Sequence, residues 1–363
     1  MGSHTARRMT IPHQIIEPTA DFAGTRVLVA GSYAYPDSFE WHIVDSLKSA
    51  GCEVELFYHG YKIGGMLGIA EKVLHKATSL MIREPERRVE ARLLRAIESF
   101  SPTVILVVLG SQLSPKSMEI IRKRTTARIV CWCQDQMTTL GRQFLLASGY
   151  DAVFVKDRYM LELFSGMIRS TKFYYLPEAC NPRMHRPIEL SAADRETYGC
   201  DIMIAGTLYY YRQEILRQLV QQSQGIQLKI WGSRPDWLLD RLPGLHMGRY
   251  VHGDDKVRAA LSAKICLNTL HFGEVNALNC RAFELAGCGG FQMVTRVPTL
   301  AEHFEPEVEV VTFGSVEELI EKSAYYLRNP EAAAAIAERG RLRAHRDHTY
   351  EHRIREILSI ALP

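Results

Sequence analysis

The stretch RVLVAGSYAYPDSFEWHIVDSLKSAGCEVELFYH, residues 26–59, decides the fold class. The apolar run RVLVA is followed by a loop with Gly and Pro, and then by a segment whose apolar residues share one helical face. Gly51 ends that segment, and the run EVELFYH begins at once. Strand, loop, helix and strand in this order predict a right-handed parallel βαβ unit. The loop lacks G-x-G-x-x-G, so a dinucleotide fingerprint is absent.

The same alternation continues on both sides of a proline-rich segment. Residues 62–100 predict a long helical region, and residues 177–200 have three prolines and no periodicity, which indicates an interdomain linker. Continuous apolar runs predict strands in a parallel sheet covered on both faces, at 104–110, 128–133, 152–155, 172–177, 201–206, 227–232, 264–270, 291–295 and 308–313. Ser315 and Glu318 have the spacing of a capping box. The sequence therefore predicts an α/β protein with two Rossmann-like domains, whose parallel sheets face a central cleft.

Length and composition agree with two globular domains. The chain has 363 residues, a net charge of +3, 47% hydrophobic residues and 23% charged residues. No array of Lys and Arg alternates with aromatic residues, which argues against a nucleic-acid partner. No apolar run approaches the roughly 18 residues of a membrane-spanning helix. We therefore expect a cytoplasmic protein. The basic runs at 83–88 and 122–128 leave open a peripheral contact with an anionic membrane or an acidic acceptor surface.

The cysteines and histidines do not predict a metal site. Eight cysteines lack C-x-x-C spacing, and thirteen histidines form neither H-x-x-x-H nor H-E-x-x-H. The chain also lacks Asp-x-Asp. We expect no metal and no cofactor.

The stretch NALNCRAFELAGCGGF, residues 276–291, predicts a short helix with a polar start. Unpaired N–H groups and the helix dipole favour an anion at such a start. Ligands of parallel α/β sheets bind outside the carboxyl ends of the strands. The loops after Ala205, Trp231 and Leu270 are therefore candidates to face the same ligand.

Several strings, taken in order, resemble one family. They are DIMIAGTLYYYRQEIL, LKIWG, AKICLNTL, NALNCRAFELAGCGGF and RAHRDHTYEHRIREIL, with WCQD, YDAVFVKD and YLPEACNPRMHRP in the first half. Over residues 27–358 the chain resembles the CgeB-like, spore-maturation-type glycosyltransferases of the GT-B superfamily. The resemblance implies an acceptor-side domain at 21–178, a linker at 179–200, a nucleotide-sugar domain at 201–347 and a C-terminal helix at 348–363 that crosses back to the first domain. It also implies chemistry without a metal, because protein cations and a helix start offset the diphosphate charge.

The resemblance and the loop positions together give the candidate site. Glu284 matches a glutamate that grips the nucleotide ribose in related retaining transferases, whereas Asn276 stands where they have a second glutamate, and Glu274 is out of register. The predicted catalytic residues are Arg281, Arg212 and Asp135. The predicted donor-binding residues are Glu284, Gly206, Thr207, Asn276, Asn279, His271 and Gly232.

Each assignment has a structural alternative. Arg281 and Glu284 are three positions apart on one helix and could pair with each other. Arg212 could be a solvated helix residue, Asp135 a helix N-cap, and His271 a structural histidine. Tyrosines 209–211 fit either a nucleotide base or a domain interface.

Three functions fit these observations. The first is a transferase that moves a sugar, of hexosyl type and with retention, from a nucleoside-diphosphate-sugar to an unidentified acceptor. The second is a non-catalytic relative that binds a nucleotide-sugar or carbohydrate in a surface or spore-coat assembly. The third is a nucleotide-sugar epimerase, which would need more carboxylates around the sugar than Glu274 and Glu284.

Overall fold

A computed structural model describes residues 21–31, 35–58, 85–108, 113–135, 149–223, 225–235 and 237–362. Within these ranges the chain forms two α/β domains, each built on one parallel sheet. Among the helices described, none combines the length and the apolar composition needed to cross a membrane.

The first domain holds six of the described strands. They are β1 (Arg26–Gly31), β2 (Glu53–Tyr58), β3 (Val104–Val108), β4 (Arg128–Cys133), β5 (Ala152–Val155) and β6 (Lys172–Tyr175). Neighbours pair in parallel in the order β2-β1-β3-β4-β5-β6. The described helices between them are α1 (Phe39–Ser49), α2 (Pro85–Phe100), α3 (Pro115–Arg122) and α4 (Arg158–Met167).

The second domain repeats this plan with a smaller sheet. Its strands are β7 (Cys200–Ala205), β8 (Leu228–Trp231), β9 (Ala263–Asn268), β10 (Gln292–Thr295) and β11 (Val311–Phe313), in the parallel order β11-β10-β9-β7-β8. The remaining described helices are α5 (Ala192–Tyr198), α6 (Tyr210–Gln222), α7 (Asp254–Ser262), α8 (Cys280–Cys288), α9 (Leu300–His303), α10 (Val316–Arg328), α11 (Pro330–Asp347) and α12 (Tyr350–Ala361). The strand order reverses between β7 and β9, so the loops after these two strands flank the crevice where α/β sheets bind ligands.

The last helix belongs to the core of the first domain. All five residues of β3 are buried: Ile105 and Val107 face one apolar cluster, whereas Leu106 faces the other. Ile354 and Leu358 of α12 complete that second cluster and are at most 1% exposed. Helices therefore cover both faces of the sheet, which explains the uninterrupted apolar runs of its strands.

The architecture confirms the predicted fold class. Two parallel-sheet domains face each other, and α12 returns to the first domain, as the GT-B fold requires. The strands fall on the two sides of the linker predicted at 179–200, except that β7 begins at Cys200. The domain boundaries themselves stay a prediction.

Three local predictions need correction or completion. The linker contains helix α5, whose start is a capping box formed by Ser191 and Asp194. At the predicted capping box of α10, Ser315 accepts from the N–H of Glu318 at 3.2 Å, but the Glu318 carboxylate accepts from Gly314 N–H instead of reaching back to the N-cap. Of the helix predicted at 62–100, the structure describes Pro85–Phe100, and residues 62–84 lie outside the described ranges.

Candidate functional site

The loops after β7 and β8 touch at two glycines. Gly206 has φ of +115°, a conformation that favours glycine, and its N–H donates to the carbonyl of Trp231 at 2.7 Å. A Cβ on Gly232 would lie 2.1 Å from the Gly206 carbonyl oxygen. A Cβ on Gly206 would lie 2.7 Å from Nη1 of Arg281 and 3.4 Å from Nη1 of Arg212. The absence of side chains thus lets two loops and two guanidinium groups meet at one point.

Thr207 lies beside this point and takes part in a small hydroxyl cluster. Its Oγ1 is 3.1 Å from the hydroxyl of Tyr250, which also bonds to Oγ of Ser233. Tyr250 therefore links the loops after β7 and β8, although the sequence did not single it out.

Arg212 is held inside the protein at the start of α6. Its side chain donates from Nε to Oγ1 of Thr269 at 2.7 Å, from Nη2 to the Thr269 carbonyl at 2.9 Å, and from Nη1 to the Thr207 carbonyl. The residue is 3% exposed, which rules out the alternative of a solvated helix residue. Burial, and then repulsion from Arg281, lower the pKa of Arg212 to about 9, so it stays a cation at neutral pH.

Arg281 supplies the second cation, from the first turn of α8. The residue is partly exposed, and its guanidinium faces Gly206. Within the described ranges it makes no hydrogen bond and no ion pair. Two positive groups thus converge on one glycine, and neither forms an ion pair with a carboxylate of the described residues. This arrangement favours an anion at the switch point between β7 and β9.

The polar start of α8 is partly occupied by the protein itself. The helix begins at Cys280, and Asn279 caps it by accepting from the N–H of Ala282 at 3.1 Å. The Asn279 amide also exchanges two hydrogen bonds with Asn268, at 2.9 and 3.0 Å. Asn276 instead contacts the first domain: its N–H donates to Asp157 at 3.2 Å, and its carbonyl accepts from Arg158 N–H at 3.3 Å. Donor binding by Asn276 and Asn279 stays a prediction.

His271 lies in the loop after β9, near enough to Arg212 and to Lys156 of the first domain for their charges to act on it. Its Nδ1 accepts from the N–H of Gly273 at 3.1 Å, so the proton of the neutral ring is on Nε2. Burial lowers the pKa of His271; the negative charge of Glu274 opposes this shift, whereas Arg212 and Lys156 add to it. The ring also packs edge-on against Tyr209, with centroids 4.9 Å apart. A neutral His271 can donate a hydrogen bond from Nε2 to a ligand in the cleft.

A buried lysine faces His271 from the first domain. Lys156, at the end of β5, pairs with Glu274 at 2.8 Å and with Glu178 at 3.3 Å. Burial raises the pKa of Glu178 to about 7, although Lys156 opposes the shift. The predicted catalytic residue Asp135 is exposed after β4, and its negative charge also raises the pKa of Lys156. Among the described residues, Oε2 of Glu274 is buried without a hydrogen-bond partner.

Glu284 is enclosed rather than open. It is 5% exposed on α8, and its Oε2 lies 2.9 Å from Nζ of Lys256 on α7. The alternative that Glu284 pairs with Arg281 therefore does not hold. Burial alone would raise the pKa of Glu284, but Lys256, His185 and His42 together outweigh it and hold this pKa below the ordinary value. The predicted ribose contact stays a prediction, and any such contact must form beside this ion pair.

The sequence did not identify the residues that join the two domains around these sites. They are Asp37, His185, Lys156, Glu178 and Lys256. Lys156 directly follows the apolar strand β5, and Glu178 comes three residues after the end of β6, which was a usable signal. Asp37 and Lys256 had none, because their hydrogen bond joins positions 219 residues apart.

Comparisons with known proteins agree with this fold. Residues 212–359 match the model of a family described as glycosyl transferase-like. The fold is similar to that of a glycosyltransferase from Rickettsia africae, with a TM-score of 0.64, 12% identity, and coverage of 93% of this chain and 98% of that one. The fold is also similar to that of sucrose-phosphate synthase from Thermosynechococcus elongatus, with a TM-score of 0.60 and 12% identity over 93% of this chain and 98% of that one. HepE from Anabaena, solved in complex with UDP-glucose, is similar with a TM-score of 0.60 and 13% identity over 92% of this chain and 99% of that one. A search of curated protein sequences found no significant match.

Proposed function

We propose that this protein is a glycosyltransferase that moves a sugar from a nucleoside-diphosphate-sugar to an acceptor hydroxyl, without a metal ion. The observation that carries the proposal is the convergence of Arg212 and Arg281 on Gly206. The match of residues 212–359 to a glycosyl transferase-like family supports the same activity. UDP-glucose bound to the similarly folded HepE supports a nucleotide-sugar as the donor.

The two arginines suit the charge that develops during transfer. The bond between the anomeric carbon and the diphosphate oxygen breaks, and the diphosphate leaves with the electron pair. Fixed donors aimed at that leaving group stabilise the transition state more than the ground state. Arg212 is held by three hydrogen bonds, so it needs little reorganisation. One charge-assisted hydrogen bond contributes about 1.5–3 kcal/mol, so both cations are needed to replace the charge of a metal ion.

The opposite wall of the cleft fits the sugar and the acceptor. His271 carries its proton on Nε2 and is near enough to Arg212 and Lys156 for their charges to act on it. The buried pair of Lys156 and Glu274 supports this wall, and Oε2 of Glu274 has an acceptor position that no described residue uses. Asp135 stands at the first-domain side of the cleft, where the acceptor hydroxyl must lose its proton.

We extend the proposal to the CgeB-like subtype, to a hexose as the transferred sugar and to retention of the anomeric configuration. The order of strings over residues 27–358 supports the subtype, and the position of Glu284 on α8 supports retention. Anomeric analysis of the product by NMR tests retention directly.

Donor screening tests the activity. The protein is incubated with UDP-, GDP-, ADP- and dTDP-sugars in EDTA, without an acceptor, and the release of nucleoside diphosphate is followed. We expect slow hydrolysis of one donor class, and stabilisation of the protein by the matching nucleoside diphosphate in thermal shift. Stabilisation without hydrolysis, and without transfer to any of a panel of sugar acceptors, would favour the non-catalytic binding function. Neither effect with any nucleotide would reject the proposal.

A further inference from the structure

A second set of charged side chains is buried where the two domains meet. Asp37 belongs to the loop between β1 and α1 of the first domain, is 7% exposed and has φ of +72°, which is uncommon for a residue other than glycine. Its carboxylate accepts from Gly253 N–H at 2.7 Å, and from Nε2 of His42 and His185 at 3.1 and 3.0 Å. Gly253 immediately precedes α7 of the second domain. An unfavourable backbone conformation persists only where the surrounding contacts hold it, and such residues often have a functional role.

Lys256 joins this carboxylate to the donor-side helix. Its Nζ lies 2.9 Å from Oδ2 of Asp37 and 2.9 Å from Oε2 of Glu284. One ammonium thus bridges one carboxylate from each domain. Burial would lower the pKa of Lys256, but Glu284 and Asp37 outweigh it and raise this pKa, so the lysine is a cation.

Hydrogen bonds from Asn181 define which ring nitrogen accepts in both histidines of the cluster. Asn181 donates from Nδ2 to Nδ1 of His42 at 3.3 Å, and from its N–H to Nδ1 of His185 at 2.9 Å. Each imidazole therefore carries its proton on Nε2 and directs it to Asp37. The cluster then holds two carboxylates and one ammonium, so the position of Lys256 controls whether either carboxylate is paired.

The cluster has the composition of a metal site, but Lys256 occupies the cation position. Ligand atoms of Asp37, His42, His185 and Glu284 lie within 4.8 Å of one another. Nζ of Lys256 is 3.3 Å from Nε2 of His185 as well as 2.9 Å from both carboxylates. The two Nε2 atoms carry protons and are not free lone pairs. The ammonium therefore takes the place of a metal ion within this cluster.

We propose that Lys256 is a positioning residue that couples donor binding to contact between the domains. Asp37 of the first domain holds Lys256, and Lys256 sets the position of Glu284 on the helix that faces the donor. Opening the interface removes a partner of Lys256 and frees Glu284 to change its position. By linkage, a donor that needs the present position of Glu284 stabilises the contact between the domains to the same extent. This coupling rests on the proposed function, since it assumes that a nucleotide binds at α8.

Hydrogen exchange and calorimetry test the coupling in the full chain. The variants are Lys256→Met and Asp37→Asn, with Lys256→Arg as the conservative form. Lys264→Met is the matched control, because Lys264 also pairs with a carboxylate, Asp201, but on the exposed surface. Amide exchange is measured at residues 252–257, where Gly253 N–H donates to Asp37, and the dissociation constant of the best nucleoside diphosphate is measured in parallel.

We expect Lys256→Met and Asp37→Asn to speed exchange at residues 252–257 and to weaken nucleotide binding by about 5- to 30-fold, although Asp37 lies on the other domain. Lys256→Arg should recover part of the affinity, and Lys264→Met should match the parent. If a single variant fails to fold, the double variant Asp37→Asn/Lys256→Met removes both charges together and is tested instead.

The outcomes separate the coupling from the proposed function. Parent-like nucleotide affinity in both single variants, or in the double variant, would overturn the coupling. Weaker binding with unchanged exchange would overturn it as well, because the two domains would then not be linked through Lys256. If the parent itself binds no nucleotide, the proposed function fails together with the coupling that rests on it.

Discussion

Arg281→Ala tests the anion site directly, because the residue has no other described partner. A charge-assisted hydrogen bond to phosphate contributes about 1.5–3 kcal/mol, so the loss should weaken nucleoside diphosphate binding by roughly 10- to 150-fold. If the bond strengthens as the diphosphate leaves, turnover should fall more than ground-state affinity.

The structure also predicts the effect of this variant on stability. Burial lowers the pKa of Arg212 most, and repulsion from Arg281 lowers it further. Within the described ranges, the side chain of Arg281 makes no hydrogen bond or ion pair. Its removal therefore relieves a like-charge contact, and we expect the melting temperature without ligand to stay the same or to rise. Loss of affinity with unchanged stability is typical of a residue placed for a ligand rather than for folding.

Calorimetry with nucleoside diphosphate, thermal melting without ligand and single-turnover transfer are the three assays. Arg328→Ala serves as the control, because Arg328 is exposed near the end of α10 and its side chain bonds, among the described residues, to the carbonyl of Ala324 in its own helix alone. Parent-like affinity and turnover in Arg281→Ala would refute the placement of the diphosphate at Gly206. A large loss of stability would show that the two arginines support the fold instead.

Three further predictions follow from buried groups. Glu284→Gln should weaken nucleotide binding by about 5- to 30-fold, because an amide offers one acceptor oxygen where the carboxylate offers two. The same variant should lower the free energy of unfolding, because it leaves Lys256 with one charged partner. Calorimetry with nucleotide measures the first effect, and thermal melting measures the second. Parent activity should survive EDTA, because Arg212 and Arg281 at Gly206 supply the positive charge that a metal ion would otherwise bring to the diphosphate; loss of activity in EDTA that manganese or magnesium restores would contradict this. Burial lowers the pKa of His185 to about 4 and of His348 to about 3. Between about pH 4 and 6.5 these histidines therefore bind more protons in the unfolded chain than in the folded protein. The free energy of unfolding should fall as the pH drops through that window. Glu178, with its pKa raised to about 7, acts in the opposite direction; a His348→Gln variant whose melting temperature falls as steeply as the parent's would contradict the contribution of His348.

The sequence predicted the strands well because burial on both faces leaves a simple pattern. VILVV has no polar residue, and all five of its positions are buried. Helix α5 was missed although Ser191 and Asp194 have capping-box spacing, since the prolines just before it favoured an irregular segment. A sequence pattern predicts an element well when all nearby residues favour the same structure. It predicts less well when a capping box favours a helix and the prolines before it favour an irregular segment.

Some residues of the candidate site could be predicted from the sequence, and others could not. Gly206 and Arg212 follow one strand closely, so the loop position alone pointed to them. The environment of Glu284 could not be predicted, because its partner Lys256 is on another helix and Asp37 on another domain. Contacts of this kind depend on how complete domains pack, and no periodicity along the chain encodes them.

The return of α12 to the first domain has a consequence for how the chain folds during synthesis. Domains commonly fold in the order in which they leave the ribosome, at about 5–20 residues per second. Here the apolar face of the first sheet stays open after Tyr175 has emerged, until Ile354 and Leu358 follow it roughly 10–35 s later at those rates. In this interval the first domain exposes its unfinished face, while the second domain can already form its own core. The first domain of the nascent chain is therefore open to chaperone binding and aggregation until α12 covers this face of its sheet.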